Sequence, residues 1–296
     1  MSDINTPEKK NRILNFIKPR SLGGEMSFFD HIETLRWHII RSIIVLVILS
    51  GVFFANKSFL FDTLIFGPKN IDFWTYRKMC ELGQFLNMGD KLCITDIGFR
   101  IMNNQMAGQF TLHITTALLA GFIVGFPYII WELWRFVKPG LTTVETQYAN
   151  GVVFFSSLLF LIGVLFGYYI IVPMSINFLG TYTISPEILN QISFDSYLST
   201  VATLSLGAGI VFELPMIVYF LSKLGIVTPA LMRANRKYAI VGILLVAAII
   251  TPSPDASTQL LVSLPLFILF EISIFVSGVV ERNRKKNMLT FEEEYK

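Results

Sequence analysis

The sequence predicts an all-α integral membrane protein that crosses the bilayer six times, with both termini in the cytoplasm. Three observations predict this fold class. Hydrophobic residues make up 53% of the 296 residues and charged residues only 15%, whereas a soluble globular protein is nearer a quarter charged. Several uncharged runs approach the roughly 20 residues that a helix needs to cross the hydrocarbon layer. The basic residues, finally, are distributed unevenly between the loops.

Each predicted span corresponds to one apolar run of the sequence. The runs lie at about 39–55, 110–133, 152–172, 194–221, 238–250 and 258–280. The fifth offers only 240–250 as purely apolar sequence, about 16 Å of helix, so a short fifth helix is predicted unless Tyr238 and its neighbours extend it. The turn at 251–255 contains two prolines, which force the chain to reverse between the last two spans.

The basic residues predict the side of the membrane on which each loop lies. With these six spans, 18 Lys and Arg residues lie on the side of the termini and 6 on the opposite side, all from Lys57 to Arg100. The positive-inside rule therefore places both termini in the cytoplasm. The chain divides into a cytoplasmic segment (1–35), a six-span membrane domain (36–280) with an external loop at about 57–109, and a cytoplasmic tail (281–296).

The two cysteines of the chain, Cys80 and Cys93, both fall in the long external loop. On the predicted topology this loop faces an oxidising compartment, which favours a disulfide over two free thiols. Such a bond would close a loop of about 14 residues and contribute roughly 3 kcal/mol.

Catalytic motifs are missing from the sequence. It contains no GxxxxGK[ST], GxGxxG, HExxH or CxxC motif, so nucleotide hydrolysis, dinucleotide redox chemistry and zinc proteolysis have no support. The three histidines, His31, His38 and His113, lie near the predicted interfaces, where hydrogen bonding is commoner than catalysis. The net charge of +3 provides no basic field for nucleic acid. No enzyme activity, metal or cofactor is therefore expected.

Two carboxyl groups lie within predicted spans, Glu213 in the fourth and Glu271 in the sixth. At mid-helix a carboxyl group costs about 2.5–3.5 kcal/mol on insertion scales, so Glu213 is expected to face a partner, a cavity or water. A hydrogen bond to another span of the same chain explains it equally well. Pro215 frees a backbone carbonyl near Val211, because proline has no N–H.

Four segments of the chain resemble a known family: FDHIETLR at 29–36, WRFVKPGL at 134–141, FELP at 212–215 and TPSPD at 251–255. They resemble TatC, the polytopic core of the twin-arginine protein translocase, and the resemblance extends from about Phe28 to Val280. It implies six spans with both termini in the cytoplasm and short fifth and sixth helices. The same topology follows from the apolar runs and the basic residues.

The resemblance implies a non-enzymatic receptor for the paired arginines of signal peptides on folded precursor proteins. Glu145 matches the recognition glutamate of the first cytoplasmic loop, with Phe136 and Pro139 shaping the site. A guanidinium presents a planar fork that matches a carboxylate, so the pair forms a strong charge-assisted hydrogen bond.

The other recognition glutamate of the family usually stands at the position of Thr34, and here Glu33 precedes it, in the segment that ends at Arg36. One residue on a helix is about 100° of rotation. Glu145 is therefore expected to dominate arginine recognition and Glu33 to assist.

Partners and location also follow from the resemblance. Glu213, with Phe212 and Pro215, is expected to face the single-span partners, TatA-type and TatB-type proteins. A second set forms the last external turn: Pro252, Asp255 and Gln259. The resemblance implies an oligomer in the bacterial inner membrane, driven by the proton-motive force. The rival interpretation is an ion-coupled secondary transporter with Glu213 and Glu271 as ion sites, which requires an internal repeat.

Overall fold

A computed structural model describes residues 28–87, 89, 93–94, 98–138, 149–185, 187, 190–251 and 256–294. Ten α-helices and two short strands occur within these ranges. The helices are α1 (Phe28–Ala55), α2 (Trp74–Phe85), α3 (Gly108–Val137), α4 (Ala149–Phe166), α5 (Val172–Thr181), α6 (Phe194–Phe212), α7 (Leu214–Lys223), α8 (Pro229–Ala234), α9 (Arg236–Ile250) and α10 (Ala256–Glu294). The strands are β1 (Arg100–Met102) and β2 (Gln191–Ser193).

Five helical segments of the described chain are long and apolar enough to cross a membrane. They are Ile32–Ala55, Gly108–Val137, Gly151–Thr181, Phe194–Lys223 and Gln259–Arg284. The predicted fifth span coincides with α9, whose 15 residues extend only about 22 Å. The structure thus supports five spans by length and composition, and the sixth crossing stays a prediction.

The expectation of a short sixth helix is wrong. Helix α10 runs for 39 residues from Ala256 to Glu294, although its apolar part agrees with the predicted span. The polar sequence beyond Val280 is rich in Glu, Arg and Lys, which favour the helical conformation. The helix therefore continues after the apolar run has ended.

Two spans are interrupted where the sequence contains proline. In the third, a π-helical segment (Gly167–Ile171) joins α4 to α5, and Pro173 follows in the first turn of α5. In the fourth, α6 ends at Phe212 and α7 begins at Leu214, with Pro215 in its first turn. Proline lacks the N–H that would continue the preceding helix, so each interruption has a local cause.

Glycines allow α4 and α6 to approach closely. A Cβ atom at Gly167 would lie 2.8 Å from the carbonyl oxygen of Leu204 and 2.9 Å from the Cα of Ser205. At Gly163 it would lie 2.8 Å from the carbonyl oxygen of Ala208. These glycines are four residues apart, the spacing at which small residues let membrane helices pack backbone to backbone.

We expect Gly167→Ala to destabilise the fold by about 1–3 kcal/mol, the usual cost of forcing an extra methyl group into a packed interface. Gly151→Ala in α4 of the same span is the matched control, because nothing lies within 4 Å of its Cβ position, and it should be neutral or slightly stabilising. Thermal unfolding in detergent measures both variants. Equal melting temperatures for the two would contradict this account of the interface.

A small cap covers the helix ends on the side of the cysteines. It consists of α2, the disulfide between Cys80 and Cys93, and the parallel pair of strands β1 and β2, in which Arg100 is opposite Gln191. The buried hydroxyl of Tyr76 donates to the carbonyl oxygens of Pro68 and Pro173, at 2.8 and 3.2 Å. Burial raises the pKa of this phenol, so it stays a hydrogen-bond donor at neutral pH.

Candidate functional site

The predicted recognition residues that the structure describes lie at the start of α1 and the end of α3. Helix α1 packs along α3, and a Cβ atom at Gly121 would lie 2.8 Å from the backbone nitrogen of Ser50. Because the two helices approach this closely, Phe136 at the end of α3 comes within 6.2 Å of His38 in α1, measured between ring centroids. Pro139 and Glu145 lie outside the described residues.

Glu33 and Thr34 point in different directions from α1. Glu33 and Arg36 are exposed, whereas Thr34 is half-buried. His38 follows Thr34 by one helical turn and is only 12% exposed. Thr34, at the position that usually carries the recognition glutamate, thus lies on the packed face of α1. The carboxylate of Glu33 lies on the exposed side, next to that face.

A buried carboxyl group, Glu132, connects α1 to α3 near these residues. Its side chain is 1% exposed. His38 donates from Nδ1 to Glu132 Oε2, and Tyr128 donates to Oε1 at 3.1 Å. Two half-exposed guanidinium groups complete the cluster: Arg135 Nη1 lies 3.3 Å from Oε1 and Arg41 Nη1 lies 4.0 Å from Oε2.

This cluster fixes the relative position of α1 and α3. A buried charge needs partners, and Glu132 obtains His38 and Arg41 from α1, so sliding or rotating one helix against the other would remove these partners. Arg135 also lies over the ring of Trp131, 4.7 Å from its centroid. The start of α1, which carries Glu33 and Thr34, and the end of α3, which carries Phe136, are therefore held in register.

Sequence reasoning missed the Glu132 cluster. From the sequence, Glu132 has no assigned role and His38 lies near a predicted interface. One local signal was available, because Glu132 and Arg135 are three residues apart and thus neighbours on a helix. The contact with His38, 94 residues away in sequence, had no signal in the sequence.

A second candidate site surrounds Glu213, at the interruption between α6 and α7. Ser156 of α4 donates to Glu213 Oε2 at 2.7 Å. The other oxygen, Oε1, is buried and has no hydrogen-bond partner among the described residues. Phe212 is buried against Phe166, with ring centroids 5.4 Å apart, and Pro215 is buried in the first turn of α7. Glu213 thus has the predicted internal hydrogen bond and one oxygen left for another donor.

Of the residues predicted to form the last external turn, only Gln259 lies within the described residues. Gln259 donates from Nε2 to the carbonyl oxygen of Leu244 at 3.1 Å, which ties α10 to α9. Pro252 and Asp255 lie outside the described residues.

Glu271 pairs with Arg236 of α9 at 2.8 Å, so it has the partner expected of a structural ion pair. Within the described ranges, no group of three His, Cys, Asp or Glu side chains could hold a metal ion.

Comparison with known proteins identifies the family. The family model described as Sec-independent protein translocase protein (TatC) matches residues 30–265. The TatC protein of Blattabacterium sp. subsp. Periplaneta americana (strain BPLAN) is 36% identical over 262 residues, covering 88% of this chain and 98% of that protein. The TatC protein of Aquifex aeolicus (strain VF5) is 31% identical, with the same coverage of 88% and 98%.

A solved structure shares the fold as well. It is a crystal structure of the twin arginine translocase receptor TatC, with a TM-score of 0.61 and 31% identity, covering 85% of this chain and 99% of that one. The chain therefore belongs to the TatC family of Sec-independent protein translocase proteins, whose members are non-enzymatic, multi-pass membrane components of the translocase.

Proposed function

We propose that this chain is the translocase subunit that binds the twin-arginine signal peptides of folded precursor proteins at its cytoplasmic face. The observation that carries the proposal is the buried Glu132 cluster, which holds the start of α1 in register with the end of α3. Glu33 is exposed at the start of α1. In the sequence, Glu145 follows Val137, the last residue of α3, by eight residues. Two carboxylates on neighbouring segments suit two adjacent guanidinium groups.

The proposal includes the topology and the source of energy. Residues 1–35 and 281–296 lie in the cytoplasm, and the membrane domain of residues 36–280 crosses the bacterial inner membrane six times. The proton-motive force drives transport, as membership of the family implies, and the sequence contains no nucleotide-binding motif that would supply energy instead. The subunit assembles into oligomers together with TatA-type and TatB-type single-span proteins.

Glu213 is the proposed contact for the partner helices. Its unpartnered oxygen lies at the interruption between α6 and α7, and a polar side chain from a partner helix would satisfy it. Ile210 and Ile217 stand one turn before and after Glu213, and their side chains are 60% and 49% exposed. Ile210 at the end of α6 and Ile217 in α7 thus expose apolar surface on both sides of Glu213 that a partner could cover.

We expect a photo-crosslinker at position 217 to label a TatA-type or TatB-type helix. The label should persist with Glu213→Gln, which keeps hydrogen-bonding capacity, and decline with Glu213→Leu, which removes it. A crosslinker at Ile249 of α9, 73% exposed, is the control for labelling by proximity alone. Equal labelling from 217 and 249 would argue against the contact.

Export of a folded reporter with a twin-arginine signal peptide tests the function directly. A strain lacking its own TatC and carrying the partner proteins of the same organism is complemented with this chain. Export of the reporter is expected, and it should be lost when both arginines of the signal peptide are replaced by lysine, because an ammonium group cannot form the bidentate pair. If the inserted chain restores no export, the proposal fails and the secondary transporter becomes the hypothesis to test.

A further inference from the structure

An apolar cavity of about 330 Å³ lies among the first four spans. Its wall comes from the end of α1, the π-helical segment Phe59–Ile65 that follows it, the first half of α3, the end of α4 with the π-helical segment after it, and the first half of α6. The cavity therefore occupies the half of the membrane domain next to the cap. On the proposed topology, this half corresponds to the external leaflet of the bilayer.

The cavity has a closed floor and an open rim. The floor includes Leu60, Leu198 and Val201, which are only 1–4% exposed. At the rim, Val124 of α3 and Leu165 of α4 are each 53% exposed. Because these rim residues lie within candidate spans, the cavity opens sideways into the hydrocarbon region of the bilayer.

The lining offers almost nothing to a polar occupant. The hydroxyl of Thr116 donates to the carbonyl oxygen of Leu112 at 2.6 Å, and that of Tyr168 to Leu64 at 2.7 Å. The buried hydroxyl of Ser205 has no partner among the described residues. One free hydroxyl cannot retain water, because a buried water needs two to four polar partners. The occupant must itself be apolar.

The surroundings of the cavity identify the occupant. Tyr169 lines it beside the cap, and Trp74 of α2 lies edge-on to Tyr169 with ring centroids 6.0 Å apart. Aromatic residues of this kind mark the interface at which lipid headgroups lie. Lys57 stands two residues before Phe59 of the lining and supplies a positive charge for a phosphate. Because the rim lies within candidate spans, the molecules that face it in a bilayer are lipids.

We propose that the cavity binds one acyl chain of a phospholipid from the leaflet on the side of the cap, so that a lipid completes the packing of the first four spans. The chain fills space that would otherwise lack contact atoms on one side, and it gains dispersion contacts with every wall. The proposal rests on the membrane-spanning fold and not on signal-peptide recognition.

A lipid with a photoactivatable diazirine in the middle of its acyl chain tests the proposal. The full chain is reconstituted in phosphatidylcholine vesicles that contain a small fraction of this probe, and the adducts are mapped by mass spectrometry. We expect adducts on Leu198 and Val201, which surface lipid cannot reach because they are 3% and 4% exposed. Absence of adducts there, while exposed Leu245 is labelled, overturns the proposal.

Two variants and a matched control complete the experiment. Ala202→Phe fills the cavity from its wall, and Val124→Phe narrows the rim at an exposed position that tolerates a larger side chain. Both should lose the adducts on Leu198 and Val201, whereas Ala248→Phe on the exposed face of α9 should keep them. Unchanged adducts in both cavity variants overturn the proposal. The proposal is also overturned if Leu198 and Val201 are labelled by a diazirine placed in a TatA-type helix but not by the lipid probe.

Discussion

Replacement of Glu145 by alanine is expected to abolish export of twin-arginine precursors and to weaken signal-peptide binding about 10–100-fold. A hydrogen bond to a charged group contributes about 1.5–3 kcal/mol, and each 1.4 kcal/mol is a factor of ten in affinity. Titration of the purified protein in detergent with a fluorescent twin-arginine peptide measures the loss directly. The reporter assay measures its consequence for export.

Glu33→Ala is the matched comparison, because Glu33 is the other carboxylate proposed to face the arginines. Its loss should reduce affinity less than the loss of Glu145, since Glu33 stands one residue, about 100°, from the family position. Glu145→Asp should recover part of the binding, because it keeps the charge. The ranking would be reversed if Glu145→Ala bound the peptide normally and Glu33→Ala did not bind it.

Replacement of Glu132 by alanine is expected to reduce the free energy of unfolding by about 1.5–3 kcal/mol, the contribution of hydrogen bonds to a charged group. The guanidinium groups of Arg41 and Arg135 are about half exposed and can turn to water. His38 is 12% exposed and cannot do so without moving α1. Signal-peptide binding should weaken as well, because α1 and α3 lose their fixed register.

Two further variants show that the effect comes from the cluster. Glu132→Gln preserves size and part of the hydrogen bonding, so its effect on stability should be intermediate. Combining Glu132→Ala with His38→Ala should destabilise the protein by less than the sum of the single changes, because both remove the same contact. Glu33→Ala, at an exposed position, should change stability by no more than about 0.5 kcal/mol. If the Glu132→Ala protein had the same melting temperature as the wild type, a structural role for the cluster would be excluded.

The positions of the helices were predictable because each depends on local sequence. The predicted spans at 110–133 and 194–221 lie within Gly108–Val137 and Phe194–Lys223. Burial in hydrocarbon requires an uninterrupted apolar run of fixed length, and this requirement can be checked residue by residue. The interruption at Glu213 was predictable as well, because Pro215 has no N–H to donate.

The end of α10 was not predictable from the apolar run. Hydrophobicity indicates where a helix can contact lipid, whereas the propensities of Glu, Arg and Lys decide how far it continues into water. The sequence after Val280 contains no proline or glycine to stop the helix.

The sequence by itself determined the fold class, the approximate helix positions and the family. Only the tertiary structure decided which polar side chains meet. Ser156 and Glu213 are 57 residues apart in sequence, and His38 and Glu132 are 94 apart. Their contacts arise because small residues let the helices approach at one register, and that register depends on every contact along the interface. This register therefore cannot be predicted from a local pattern of residues.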